Sequence, residues 1–407
     1  MSVFRGWVVV AGAFAVLLVA YGLHYSFGVF FTALLDEFGW SRASLSGAFS
    51  LYAGAYCVVG FPAGRLTDAW GPRPVVALGG VFLGAAFVGM AFASQLWQPY
   101  VLYGVVAAIG MGTAYVPCSS TVVRWFVRRR GLATGLASSG ASIGSLISPP
   151  LTQLLITAVG WRRAYLVFGL VAMVAIALGA RVMRRDPEAF GLHPDGDDRP
   201  PAGDVAGEPW PVGRALSTPA FWLLWATFTA AWLPIFVPLV HVPRLARDLG
   251  LSSLLAATVV SALGAGAVVG RLAMGALSDR VGRKRVGALA LTAQALSFAG
   301  YTIVDGAATL FAATLVFGFA YGGMSALFAP IVGDFFGRAR AGALVGVFFA
   351  TAGSVAGAGP FAAGAIFDLT GSYHTAFVLS AALSALAVVL LALTHPPALA
   401  PGETPAL

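Results

Sequence analysis

Charge is what this chain has least of. Asp, Glu, Lys and Arg make up 10% of its 407 residues, where a soluble globular domain carries about 25%. With 59% hydrophobic residues and a mean hydropathy of +0.86, there is too little polar surface to solvate two or three domains. A soluble fold is excluded, and lipid must be the solvent for most of the chain. Lysine is almost missing, with one Lys beside 23 Arg. That bias fits a GC-rich bacterial genome and an inner-membrane location. Cysteine is scarce too. Cys57 and Cys118 lie in apolar stretches without disulfide or metal-ligand spacing and read as small buried hydrophobes. None of the 16 acidic residues falls well inside an apolar stretch; Asp36 and Glu37 close the first one, and the rest lie in loops or at ends. No catalytic cluster or ion filter is visible, so neither an enzyme, a channel, a cofactor nor a metal is expected.

What the chain does have is apolar runs of bilayer-spanning length, roughly 20 residues at helical rise. They predict helices over 7–33, 44–64, 74–94, 99–123, 131–158 and 162–183, then over 218–243, 254–278, 286–305, 308–333, 341–367 and 374–394. The first is too long for a signal-peptide core and no small-residue cleavage site follows, so it is kept as a helix. Eighteen of the basic residues fall on the side of the N-terminus and five on the other, with Arg271 left inside. The positive-inside rule then puts both termini in the cytoplasm. The net charge of +8 is a topology signal, and no nucleic-acid partner is expected.

Residues 184–217 carry Arg184, Arg185, Asp186, Asp195, Asp197, Asp198 and Asp204 among prolines and glycines, and read as a solvated linker. The linker separates an N-terminal six-helix bundle, 1–183, from a C-terminal one with a short tail, 218–407. The two resemble each other. Gly64-Arg65-Leu66-Thr67-Asp68-Ala69-Trp70-Gly71-Pro72-Arg73 follows the second helix, and Gly275-Ala276-Leu277-Ser278-Asp279-Arg280-Val281-Gly282-Arg283-Lys284 follows the eighth, 211 positions later. The same offset relates Pro149 to Pro360. The expected fold is an all-α membrane protein, twelve transmembrane helices in two pseudo-symmetric six-helix bundles with a substrate site at their interface.

Both loops resemble the Gly-x-Leu-x-Asp-x-x-Gly-x-(Arg/Lys) hallmark of the major facilitator superfamily. A narrower likeness lies in Trp125-Phe126-Val127-Arg128-Arg129-Arg130-Gly131-Leu132-Ala133-Thr134-Gly135-Leu136-Ala137-Ser138-Ser139-Gly140. This segment is similar to the fourth-to-fifth helix motif of the monocarboxylate transporters, to which the oxalate–formate exchangers are related. A further motif, before the first helix, survives only as Arg5-Gly6-Trp7. Whatever the family, Asp68 and Asp279 at helix ends can meet Arg side chains or a neighbouring helix N-terminus. With Arg73 and Arg283 they are the candidate gating residues. The Arg128–Arg130 run reads as a positive-inside anchor.

Arg271 is the informative residue. It lies within the eighth expected helix, where an arginine costs at least ~2.5 kcal/mol on insertion scales. No embedded carboxylate is available to pair with it. A substrate carboxylate would fit the planar fork of its guanidinium. Gly264, Ala267, Val268 and Gly275 share its helix face and should leave room for a cavity. Snorkelling and carbonyl capping are the alternatives. Tyr115 and Tyr321, at equivalent places in the fourth and tenth helices, could donate to a carboxylate or simply pack. His24, taken as the one imidazole well inside a helix, could bind carboxylate or carry a proton. Trp222, Trp225 and Trp232 read as packing or interface aromatics.

The resemblance implies that the eighth-helix arginine is the substrate anchor, with Arg271-Leu272-Ala273-Met274-Gly275 similar to that segment. Animal monocarboxylate transporters have an Asp one turn earlier, where this chain has Ala267. Oxalate exchangers add an eleventh-helix Lys, and 341–367 has none. The expected function is therefore secondary active transport of a small monocarboxylate such as lactate or pyruvate, proton-coupled, in a lipid bilayer, by a protein acting as a monomer. An oxalate–formate exchanger or another efflux carrier of the same fold is the alternative. A non-transporting receptor would carry a soluble domain, and none is seen.

Overall fold

The computed structural model describes residues 4–126, 129–196, 212–336 and 341–397. Before the polar break run α1 (Arg5–Phe38), α2 (Arg42–Trp70), α3 (Pro72–Met90), α4 (Trp97–Trp125), α5 (Arg130–Val159) and α6 (Trp161–Val182). After it come α7 (Pro219–Asp248), α8 (Ser253–Val281), α9 (Arg283–Tyr301), α10 (Ala307–Phe336), α11 (Ala341–Ala356 continued by Ala358–Thr370) and α12 (His374–Leu393). Each expected helix is present, with ends shifted by a few residues. Among the described residues eleven are long and apolar enough to cross a membrane. α9 is less apolar because it opens on Arg283, Lys284 and Arg285 and carries Gln294. It packs along α10 and α12, and its buried Gln294 Nε2 donates to the Ala231 carbonyl at 2.8 Å and Ser384 Oγ at 3.0 Å. A side-chain amide at that depth needs such internal partners.

Many exposed side chains are apolar, among them Leu78, Val174, Leu178, Leu296 and Val389, as a lipid-facing belt requires. The duplicated pattern is visible in the backbone as well. Gly39, Gly71 and Gly160 have positive φ, and so do Gly250, Gly282 and Gly371, each pair 211 positions apart. These are helix-terminating conformations that only glycine adopts without strain.

Small residues set the closest helix contacts. A Cβ at Gly270 of α8 would lie 1.9 Å from the Phe319 carbonyl oxygen, and one at Gly322 of α10 would lie 2.0 Å from that of Ala267. On the other side, Gly140 and Gly144 of α5 meet the backbone of α1 in the same way. Such spacing of small residues lets apolar helices approach closely where the hydrophobic effect gives no drive.

Helices α1–α6 meet helices α7–α12 through α1 with α7, α2 with α11, and α5 with α8. The end bearing the N-terminus, where most arginines lie, is called here the basic end, and the other the far end. At the far end, ion pairs cross between the two groups. Arg42 of α2 bonds Asp248 of α7 at 2.6 Å, and Arg244 of α7 pairs with Asp36 of α1. Asp368 of α11 accepts the first-turn N–H groups of Arg42 and Ala43 at 3.1 and 2.8 Å, which places a carboxylate on the N-terminus of α2.

At the basic end the described ion pairs stay within one group. Arg124 of α4 binds Asp68 of α2 at 2.6 Å and Asp186 at 3.0 Å, while Arg283 of α9 pairs with Asp334 of α10. The described ion pairs that join the two groups therefore all lie at the far end, which they latch. The segment read as a solvated linker is partly docked: the Arg184 carbonyl accepts from Trp125 Nε1 at 2.8 Å, and Arg5 stacks over Phe190. Its residues 197–211, and Arg128 of the anchor run, lie outside the described residues.

Candidate functional site

α8 continues to Val281, so Arg271 lies ten residues, or ~15 Å at helical rise, from the basic end. That is about half the thickness of a bilayer core. Its Nη1 donates to Ser142 Oγ of α5 at 2.9 Å. Nε and Nη2 share Ser325 Oγ of α10 at 3.4 and 3.3 Å, which is long for an N–H···O bond. Among the described residues no carboxylate pairs with it. Arg271 thus bridges α5 to α8 and α10 while its charge stays unbalanced.

The close α8–α10 contact explains this placement. Gly270 and Gly322 bring the two backbones together, so that Arg271, one residue on, reaches Ser325. Ser325 is held in turn, its hydroxyl donating to the Gly322 carbonyl at 2.7 Å. Two of the residues expected to open a cavity do something else. Gly264 admits Ser145 and Leu146 of α5, and Ala267 seats Gly322 of α10. Gly275 does face open space, as do Gly135 and Gly346. Ser325 is exposed, and Ser138 and Ser139, one turn before Ser142 on α5, are half-buried. A cleft therefore runs from the basic end up to Arg271.

Above Arg271 the cleft closes. Tyr25 of α1 donates to the Tyr321 hydroxyl across the two helix groups at 3.0 Å, and Tyr321 sits one turn beyond Ser325. Beyond this bridge a void of about 10 Å³ is lined by His24, Phe236, Leu263 and Phe317, among others. That is barely room for one water. Tyr115 is 43% exposed, and its ring meets Tyr21 of α1 edge-on at 6.2 Å, so it faces the cleft.

His24 stands apart from Arg271. It is buried, with Nδ1 3.0 Å from the Tyr52 hydroxyl and aromatic rings on several sides. Nor is it the one embedded imidazole. His241 of α7 is fully buried, between the Tyr373 hydroxyl and the Pro360 carbonyl, both at 2.9 Å. The sequence expectation failed here because α7 extends to Asp248, which carries His241 inside the helix.

The gating candidates separate too. Asp68 is paired, with Arg124 as its partner, and Arg283 pairs with Asp334. Arg73 is exposed, and the side chain of Asp279 lies outside the described residues. Cys57 and Cys118 are buried and unbonded to each other, as small hydrophobes. Trp232 packs edge-on to Phe328 at 4.7 Å, whereas Trp222 is exposed. Sequence reasoning missed Ser142, Ser325 and Tyr25. The signal that marks the two serines is depth: Ser142 lies 12 residues and Ser325 11 residues from the basic ends of their helices, level with Arg271 at ten.

A bundle that is all-helical among the described residues, with a lipid-facing belt, a cleft between two repeated helix groups and a single described embedded cation, is that of a multi-span membrane transporter. The chain belongs to the Major Facilitator Superfamily, whose family model matches residues 13–358 and again 235–406. Within it the chain resembles the monocarboxylate transporter group. It is 33% identical to Monocarboxylate transporter 11 of Homo sapiens over 395 residues, covering 93% of this chain and 80% of that protein. It is 30% identical to Monocarboxylate transporter 13 of Rattus norvegicus over 397 residues, covering 96% and 89%. Among solved structures, the nucleoside transporter NupG superposes with a TM-score of 0.72 at 13% identity, covering 96% of this chain and 98% of that one. A D-xylose–proton symporter does so with 0.74 at 14%, covering 96% and 98%. These two share the fold.

Proposed function

We propose that this transporter is a secondary carrier of small monocarboxylates of the lactate or pyruvate kind, working by alternating access with Arg271 as the carboxylate anchor. The observation that carries the reading is the state of Arg271: a cation near mid-depth, held among the described residues by two serine hydroxyls alone and facing a cleft. Its cost of at least ~2.5 kcal/mol is offset when a carboxylate docks on the guanidinium fork. The named monocarboxylate transporters among its relatives support the same class. Tyr115 and Tyr321 border the cleft and are read as further ligand contacts.

With the basic end cytoplasmic, as the arginine distribution implies, the described state is inward-open and latched outside. The Asp68–Arg124 and Arg283–Asp334 pairs, which stay within one helix group, are then free to re-pair across the cleft when that end shuts. A monoanion entering a cell moves against a negative interior at about 2.3 kcal/mol per 100 mV, so a co-transported proton favours accumulation. His24 is read as the proton carrier.

The test is uptake of labelled lactate and pyruvate into proteoliposomes, with and without a proton gradient. Saturable uptake that the gradient drives uphill is expected. Absence of uptake for a panel of monocarboxylates, with uptake of an uncharged solute instead, overturns the reading.

A further inference from the structure

The walls of the cleft beside Arg271 are built of rings. Among the rings at this level, Tyr21 and Tyr115 of the first helix group and Trp232, Tyr321 and Phe349 of the second are not buried, and the buried Tyr56 packs against Phe349. Tyr21 meets Tyr115 edge-on at 6.2 Å between centroids, and Tyr56 meets Phe349 across the groups at 6.2 Å. Trp232 lies 6.3 Å from Phe349. Five of these six are not sealed as a core ring would be: Tyr115 is exposed, Tyr21, Trp232, Tyr321 and Phe349 are half-buried, and only Tyr56 is buried. Counted along their helices, they sit eight to sixteen residues from the basic end, which brackets the depth of Arg271. Tyr25 and Tyr321 close the space above. Among the described residues the Tyr21 and Tyr115 hydroxyls have no hydrogen-bond partner, so they are left to whatever fills the cleft.

A three-carbon acid anchored on Arg271 would touch few of these rings. A ligand that reaches them needs a carboxylate at one end and a flat apolar group at the other. We infer that the site takes monocarboxylates with an aromatic side chain, 2-hydroxy or 2-oxo acids of the phenyllactate and phenylpyruvate type, in preference to lactate itself. The inference rests on the reading of Arg271 as carboxylate anchor and adds the tail pocket. Edge-on ring pairs leave ring faces and edges available for a further ring to stack or tilt against. The free tyrosine hydroxyls suit the oxygen on C2. Rings can also cage a quaternary ammonium. Charge balance speaks against that here: a zwitterion such as glycine betaine would place its carboxylate on Arg271 and leave its ammonium without a counter-charge, because among the described residues no embedded carboxylate accompanies the site.

The experiment is equilibrium binding to the purified full chain, by competition with labelled phenyllactate, using unlabelled phenyllactate, lactate and glycine betaine. Phenyllactate is expected to bind at least tenfold more tightly than lactate, and glycine betaine not to compete. In Phe349→Leu and Trp232→Leu, which keep apolar bulk so that folding is retained, the phenyllactate-to-lactate ratio of Kd should move toward one. Equal Kd values in the unaltered protein, a preference that survives both substitutions, or displacement by glycine betaine would each overturn the inference. Arg271→Gln separates this from the underlying reading. If it still binds lactate, the anchor is wrong. If it loses both acids while the unaltered protein shows no aromatic preference, the anchor stands and the tail pocket falls.

Discussion

His241 and Tyr373 meet at 2.9 Å, and the neighbours of this pair fix the placement of its protons. Nε2 of His241 faces the Pro360 carbonyl at 2.9 Å, which can only accept, so Nε2 carries the hydrogen. Nδ1 of the neutral ring then accepts from the Tyr373 hydroxyl. That oxygen in turn accepts from Arg42 Nη1 at 2.9 Å. A chain of donors thus runs from α2 into α7 and α11, beside the Arg42–Asp248 and Asp368 contacts that hold the far end shut.

Tyr373→Phe removes the middle of this chain and leaves a buried imidazole nitrogen and an arginine N–H without partner. A buried group left so costs about 1–3 kcal/mol, charged to the latched state alone. The expected result is a shift toward the state open at the far end, not unfolding. Ser46 is buried at the α2–α11 contact, so a Ser46→Cys probe reports it. Its labelling from that side should rise at least several-fold in Tyr373→Phe and in Arg42→Ala. Unchanged labelling in both would show that the network is not a latch.

Arg271→Gln should abolish transport while leaving membrane expression and the folded state intact. Arg271→Lys should recover little, because a point charge does not reproduce the bidentate fork. Near-normal uptake by the Gln variant defeats the anchor assignment. Ser142→Ala is milder. It frees Nη1 and removes a tie between α5 and α8, so weaker substrate binding by two- to tenfold is expected, read as a raised KM.

Much of this was legible in the sequence, for reasons that can be named. Helix positions follow from apolar length, and Arg271 stands out because arginine in such a run is costly whatever surrounds it. The offset of 211 marked the repeat, and the glycine caps obey it. What escaped were pairings that depend on which helices touch. Ser142 and Ser325 look like ordinary small residues until α5 and α10 are known to flank α8. Asp68 finds Arg124 across α4 and not the nearby Arg73. Gly264 and Ala267 looked like cavity walls because helix-face periodicity cannot tell an open space from a close helix contact.

Gly270→Ala probes that contact. A Cβ there would lie 1.9 Å from a backbone oxygen, so α8 and α10 must part. Overpacking of this kind costs typically ~1–3 kcal/mol, occasionally more. The expected outcome is a lower midpoint of thermal unfolding in detergent, with transport reduced through displacement of Arg271. An unchanged midpoint would mean that the helices are less tightly seated than described.

Proton coupling is tested at His24. His24→Phe should lose the response of uptake to a pH gradient yet keep exchange of substrate across the membrane. An unchanged gradient response would remove His24 from the coupling path and leave uptake of the protonated acid, or anion exchange, to explain the drive.

Valence separates the monocarboxylate reading from oxalate–formate exchange. One embedded cation balances one carboxylate. A second carboxylate in the same cleft would be stripped of water without a counter-charge, at a cost of several kcal/mol even after relaxation. Hydroxyls of Tyr115 and Tyr321 can offset part of that by donating hydrogen bonds, but they carry no charge. A protonated imidazole could supply one, and His24 is the nearest candidate, so the measurement belongs at about pH 8, well above the ordinary imidazole pKa of ~6.5. Under those conditions oxalate and malate should compete at least tenfold less effectively than lactate against a labelled monocarboxylate. Malate also carries a 2-hydroxyl, so its weakness relative to lactate would isolate the effect of the second charge from that of the C2 oxygen. If oxalate competed as well as lactate there, a second positive group must reach the site, and the exchanger reading would displace the one proposed.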